Sequence, residues 1–162
     1  MLKILIVEDA PGVAEAIGAL LTVSYKRIMP AGVPENDPLA FFVCRSAYEL
    51  EQHKRDKVDA ILLDLRLADS NEDATLEWLD ENAEKIPPAI VITEIPCARH
   101  HSGLSITSLA NGAADFFHKE RIFTEHGSDA LLARIIKVVT LRKRISEKYE
   151  LRKEESKCLQ DY

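Results

Sequence analysis

Five short apolar runs constrain this chain more than any other feature of its sequence. They occupy residues 2–7, 39–44, 60–65, 89–95 and 114–117, each carries β-branched or aromatic residues, and segments of helical composition separate them. Four of the five are nearly continuous in apolar character rather than alternating. Strands covered by helices on both faces read that way, so the alternation of run and helix predicts a parallel α/β sheet. Helices are expected over residues 12–24, 47–55, 73–84 and 106–111, with a fifth beginning near 128. Residues 25–38 contain Pro30, Gly32, Pro34 and Pro38 and read as an irregular loop, as do residues 96–105 with Pro96 and Gly103.

At 162 residues and 46% apolar content the chain can bury one full core but hardly a second domain of ordinary size. The expected division is one domain over residues 1–140 and a helical extension or linker over 141–162. The strongest apolar run is interrupted by Asp64 and Arg66, far short of the ~20 residues that span a bilayer, so no membrane partner is expected. Glu8 and Asp9 stand where a secretory signal would continue its apolar region, which makes the cytoplasm the expected location. Cys44, Cys97 and Cys158 are odd in number and lack paired spacings, and are read as reduced thiols. A formal charge of −6 argues against nucleic acid as a partner, because phosphate-backbone binding needs a basic field.

Ligands of open parallel sheets collect at the carboxyl ends of the strands. The polar residues expected there are Glu8 and Asp9 after the first strand, Asp64 at the third, Thr93 at the fourth and Lys119 at the fifth. Carboxylates gathered at one edge repel unless a cation neutralises them, and Mg2+ suits such oxygen ligands while accepting phosphate oxygens in its other positions. An Asp carboxylate can act as nucleophile toward a phosphoryl group, with the metal and a nearby cation screening the charge.

The ordered set Ile-Leu-Ile-Val-Glu-Asp (4–9), Ile-Leu-Leu-Asp-Leu (61–65), Val-Ile-Thr (91–93) and Asp-Phe-Phe-His-Lys (115–119) resembles the response-regulator receiver family over about residues 1–140. The resemblance implies a flavodoxin-like, doubly wound five-stranded parallel sheet of order 2-1-3-4-5, here with an extended C-terminal helix. It implies that Glu8 and Asp9 are the acidic metal pair and that Asp64 is the phosphoacceptor. The Arg66 backbone carbonyl would complete the Mg2+ shell, Thr93 would be the switch hydroxyl, Lys119 would contact the phosphoryl group, and Phe116 matches the aromatic switch position. The implied function is a phosphorylation-dependent signalling switch, not a metabolic enzyme. A sensor histidine kinase or phosphotransfer protein would load it, and it would assist its own phosphorylation and dephosphorylation. Output or homodimer contact is expected on the face of the fourth helix, fifth strand and fifth helix, or along the C-terminal helix.

Three departures stand beside these matches. Residues 68–73 are polar and acidic where receivers are Pro-Gly-rich, Glu94 replaces a small residue, and Glu120 replaces the usual proline after the lysine. Glu94 and the missing proline favour a second reading, a phosphate-independent pseudo-receiver scaffold or dimerisation module. A dehalogenase-like phosphatase ranks low, because the candidate nucleophile is on the third strand and Arg66 stands where a second Asp would be needed. No Gly-rich phosphate loop is present.

From residue 128 to about 157 nothing breaks a helix, and ~30 residues would run ~45 Å, beyond the width of a small domain. Leu131, Ile135, Val138 and Val139 can cover the sheet. Beyond Leu141 only Ile145, Tyr149, Leu151 and Leu159 are clearly apolar, and the heptad spacing of Val138, Leu141 and Ile145 fails at Lys148 and Arg152. The basic residues of this tail alternate with Glu147, Glu150, Glu154 and Glu155, the pattern of a solvated helix. His100 and His101 are adjacent, cannot readily face one ion, and are expected to be exposed loop side chains.

Overall fold

A computed structural model of the chain describes residues 1–28, 39–53, 58–94 and 101–158. Strands β1 (Leu2–Val7), β2 (Leu39–Cys44), β3 (Ala60–Leu63), β4 (Ala89–Thr93) and β5 (Asp115–His118) form one parallel sheet of order β2-β1-β3-β4-β5. Helices α1 (Val13–Ile28), α2 (Ala47–His53), α3 (Glu72–Asn82), α4 (His101–Ala110), α5 (Lys119–Ile122) and α6 (Gly127–Cys158) complete it. The doubly wound, flavodoxin-like architecture expected from the sequence is the one observed.

The continuous apolar runs have a direct cause in this arrangement. Successive strand side chains point to opposite faces, and here both faces are covered. On one side Ile4, Ile6, Ala60, Leu62, Ile90, Ile92 and Phe117 pack with Ala14, Ile17 and Leu21 of α1 and with Leu131, Leu132 and Ile135 of α6. On the other side Leu5, Val7, Ile61, Leu63, Ala89, Val91 and Phe116 pack with Leu50 of α2 and with Leu76 and Leu79 of α3. Burying a side chain such as Ile6 or Leu62 contributes about 1.5–3 kcal/mol, and truncation to Ala would cost about 2–5 kcal/mol.

Element ends differ from expectation in ways that packing explains. Helix α1 continues to Ile28, so the expected loop gives up its first residues. Tyr25 packs on the core, the Ser24 hydroxyl donates to Ser128 Oγ at 2.8 Å, and Arg27 pairs with Asp129 of α6. Helix α4 begins at His101, five residues before the expected start, with Gly103 inside it and Leu104 packed on the core. The low helix propensity of glycine is overridden there by tertiary packing. His101 is therefore helical, while His100, Cys97 and Pro96 lie outside the described residues, as do residues 29–38 and the expected end of α2. The fourth strand ends at Thr93 and the third at Leu63.

Helix α4 stops in a two-bond Schellman turn. The Ala113 amide donates to Ser108 O and the Gly112 amide to Leu109 O, with Gly112 at φ +89° as the left-handed residue this turn requires. Helix α6 runs unbroken for 32 residues, about 48 Å. Leu131, Ile135, Val138 and Val139 are buried as expected, and from Thr140 onward every described side chain is exposed. Among the described residues, no helix is long and apolar enough to cross a membrane.

Candidate functional site

Strand register builds the site. Val7 of β1 is paired with Leu63 of β3, and the ladder runs one step further, with the Asp64 amide donating to Val7 O at 3.0 Å. The Glu8 amide likewise donates to Cys44 O at 2.9 Å. Glu8 and Asp64 are thus the first residues past two adjacent central strands, held side by side by backbone bonds. On the far side Thr93 is paired with His118, so Lys119 is the first residue past β5 at the same edge.

These side chains converge. One carboxylate oxygen from each of Glu8, Asp9 and Asp64 lies within 4.8 Å of the others. The Lys119 ammonium sits 2.5 Å from Asp64 Oδ2 and 2.6 Å from Glu8 Oε2. The group is buried: Glu8 is 0%, Asp64 3% and Lys119 6% exposed, while Asp9 is half-buried. Glu8 Oε1 accepts from the Ala10 amide at 3.1 Å and Asp64 Oδ1 from the Arg66 amide at 3.2 Å.

Three carboxylates against one ammonium leave the cluster negative. Burial is the largest influence on Glu8 and pushes its carboxyl above the ordinary value, despite the nearby Lys119 charge and the Ala10 amide. Burial also works against the Lys119 ammonium, but its contacts with Asp64 and Glu8 outweigh that and hold it above the ordinary lysine value. Lys119 is therefore the firmly ionised member, and Glu8 is the member whose charge is least well compensated. Glu8 Oε2 is buried and, apart from the ammonium 2.6 Å away, has no polar partner among the described residues. An oxygen of that kind among three carboxylates is chemically suited to a hard divalent cation.

Thr93 is buried at the end of β4, and among the described residues its hydroxyl makes a long 3.5 Å contact with Glu94 O, while the Glu94 side chain is exposed. Phe116 is 8% exposed on the α2–α3 side of the sheet, edge-on to His118 with ring centroids 5.3 Å apart. Phe117 faces the other way, with the Arg121 and Arg134 guanidinium groups 5.7 Å and 5.4 Å from its ring centre. Arg134 also donates to Asp115 Oδ1 at 2.7 Å and to Phe116 O at 3.3 Å, tying β5 to α6.

Two features were not foreseen. Helix α5 starts at Lys119 itself and continues through Glu120, where the family pattern has proline. The acidic segment after Asp64 is a pair of caps: Asn71 Oδ1 accepts from the Ala74 amide to start α3, and Asp69 accepts from Ala47 and Tyr48 at the start of α2. Asn71 followed by Glu72 and Asp73 is a local helix-start signal legible in the sequence. The Asp69 contact has no local signal, since its partners are more than twenty residues away.

No family model and no curated protein matches the sequence. Solved structures do match. A Francisella response regulator receiver domain superposes with a TM-score of 0.63 at 17% identity, covering 88% of this chain and 99% of its own. The receiver domain of a CheY-like response regulator from Methanospirillum hungatei gives 0.63 at 18% identity, covering 89% and 98%. The BeF3-activated receiver domain of Klebsiella pneumoniae RstA gives 0.60 at 24% identity, covering 85% and 97%. This chain has the response-regulator receiver fold. The buried Glu8–Lys119–Asp64 cluster stands at the carboxyl edge of this sheet.

Proposed function

We propose that this chain is a phosphorylation switch with Asp64 as phosphoacceptor, loaded by a phosphohistidine on a sensor kinase or phosphotransfer protein of the cytoplasm. One observation carries the reading: the Lys119 ammonium is buried between Glu8 and Asp64 at the end of the central strands, with Asp9 completing a group of three carboxylates around it. A structural ion pair needs one carboxylate, not three.

Glu8, Asp9, Asp64 and the Arg66 carbonyl would hold Mg2+, which when bound screens the carboxylates and the incoming phosphoryl oxygens. Asp64 Oδ attacks phosphorus, the P–N bond of the phosphohistidine breaks, and the imidazole nitrogen leaves with the electron pair and takes a proton from solvent. Lys119, already within reach of Asp64, then accompanies the new phosphoryl charge. The lightly held Thr93 hydroxyl is free to turn toward it. Phosphorylation shifts the surface equilibrium by its different interactions in the two states. The face formed by α4, β5 and α6, with the exposed continuation of α6 beyond residue 140, is the surface offered to an output partner or a second copy.

A phosphate-independent scaffold is the second reading, favoured by Glu94 beside Thr93 and by Glu120 in place of the proline that follows the lysine in receivers. Intact-protein mass spectrometry after incubation with acetyl phosphate separates the two. The switch requires a Mg2+-dependent gain of about 80 Da that is lost in Asp64→Asn. No adduct on folded protein, with acetyl phosphate or with a phosphohistidine donor, would establish the scaffold.

A further inference from the structure

Between Asp64 and α3 the chain makes a tight corner. The Leu67 amide donates to Ser70 O and the Ser70 amide to Leu67 O, both at 3.1 Å, leaving Ala68 and Asp69 at the tip. The base is fixed by buried Leu67 and by Ser70 Oγ against Thr75 Oγ1 at 3.1 Å. The tip sends the Asp69 carboxylate away from the acidic cluster and onto α2. Oδ1 accepts from the Ala47 amide at 2.8 Å and Oδ2 from the Tyr48 amide at 3.2 Å. Both are first-turn amides that a helix leaves without internal partners. Helix α2 also has its own cap, since Ser46 Oγ accepts from the Glu49 amide and Glu49 Oε2 from the Arg45 amide. Starting the helix therefore does not by itself call for a carboxylate from another segment. At the other end of the same corner the Arg66 amide donates to Asp64 Oδ1.

We infer that Asp69 is a positioning residue for the Asp64 site. By clasping the corner to α2 it fixes the main chain at Arg66, the amide against Asp64 and the carbonyl available to a cation, and it makes α2 respond to occupancy at Asp64. The cation part of this inference rests on the functional reading above, whereas the clasp rests on the contacts alone. Coupling of this kind is reciprocal: what loosens α2 from the corner weakens cation binding by the same factor that cation binding tightens α2. The chain carries its own reporter, because its single tryptophan, Trp78 of α3, donates from Nε1 to Glu51 Oε2 of α2 at 3.0 Å.

The test compares wild type, Asp69→Ala, Asp69→Asn and Ser46→Ala in the full chain. Mg2+ affinity is measured by calorimetry and by Trp78 fluorescence, and amide exchange of residues 65–70 is measured by mass spectrometry in the metal-free protein. Asp69→Ala should weaken Mg2+ binding about tenfold, as loss of a residue supporting a metal ligand does, and should quicken exchange across the corner. Asp69→Asn, which keeps one acceptor oxygen, should recover part of both. Ser46→Ala weakens α2 through its own cap and should change neither. Equal effects of Ser46→Ala and Asp69→Ala would reduce the result to general loosening of α2 and overturn the inference, as would an Asp69→Ala protein that matches wild type. If wild type binds no Mg2+, the cation reading falls, and the exchange data alone decide the clasp: quickening in Asp69→Ala and not in Ser46→Ala upholds it, and unchanged rates end it.

Discussion

Replacing Lys119 by methionine tests the electrostatics of the site most directly. The side chain keeps its length and apolar stem, and only the ammonium between Glu8 and Asp64 is lost. Removing one partner from a buried ion pair costs about 3–5 kcal/mol, because the carboxylates left behind are neither solvated nor paired. At ~2–4 °C of melting temperature per kcal/mol for a domain of this size, the metal-free variant should melt about 6–20 °C below wild type near pH 8. The pH dependence of that gap has a definite sign. Lys119 is held above its ordinary value of 10.5, so its contribution is fully present below that pH and is lost only as pH rises through the higher folded value. It is therefore constant between pH 8 and pH 5.5. Glu8, raised by burial, behaves oppositely: its ionised form opposes folding above its raised value, and removing Lys119 raises it further. Protonation of Glu8 should then relieve part of the loss as pH falls through that raised value. Mg2+ should also relieve it, by about 2.7 kcal/mol when its concentration is 100 times the dissociation constant, and more in the variant than in wild type. Melting followed by circular dichroism, with EDTA or Mg2+ at both pH values, gives the answer. A variant that melts with wild type at pH 8, or a loss equal at both pH values and untouched by Mg2+, would refute the placement of an uncompensated carboxylate pair.

Two further expectations rest on the scaffold. Asn71→Ala removes the side-chain acceptor for the Ala74 amide and should cost about 1 kcal/mol in urea unfolding, with an unchanged denaturant slope. Gly112→Ala must adopt φ +89° and place a Cβ into Ala83 Cβ of the α3 C-cap, so the α4 turn has to yield; about 1–3 kcal/mol should be lost, seen as a lower urea midpoint, and a neutral result would contradict the left-handed turn.

What the sequence made legible, and what it hid, divides along one physical line. Both sheet faces are buried, so the central strands are nearly continuous in apolar residues, and a carboxylate, hydroxyl or lysine at the end of such a run is conspicuous. Glu8, Asp64, Thr93 and Lys119 stood out for that reason, and strand register then brought the charged three together with no further information. Helix ends obey weaker rules. Lys26 and Arg27 suit the last turn of a helix, but how far α1 runs is fixed by Ser24 meeting Ser128 and Arg27 meeting Asp129, contacts made by residues about a hundred positions away. The start of α4 ahead of Gly103 is set in the same manner by packing. Asp69 is the clearest instance, since in the sequence it is one acid in a run of acids and in the fold it ties the loop after Asp64 to α2. The departure of residues 68–73 from the family pattern is therefore not simply a loss. A Pro-Gly corner is stiff by its own backbone, whereas this corner takes its stiffness from a carboxylate bound to another helix. Stiffness borrowed from α2 can be passed back to it, which a self-contained turn cannot do.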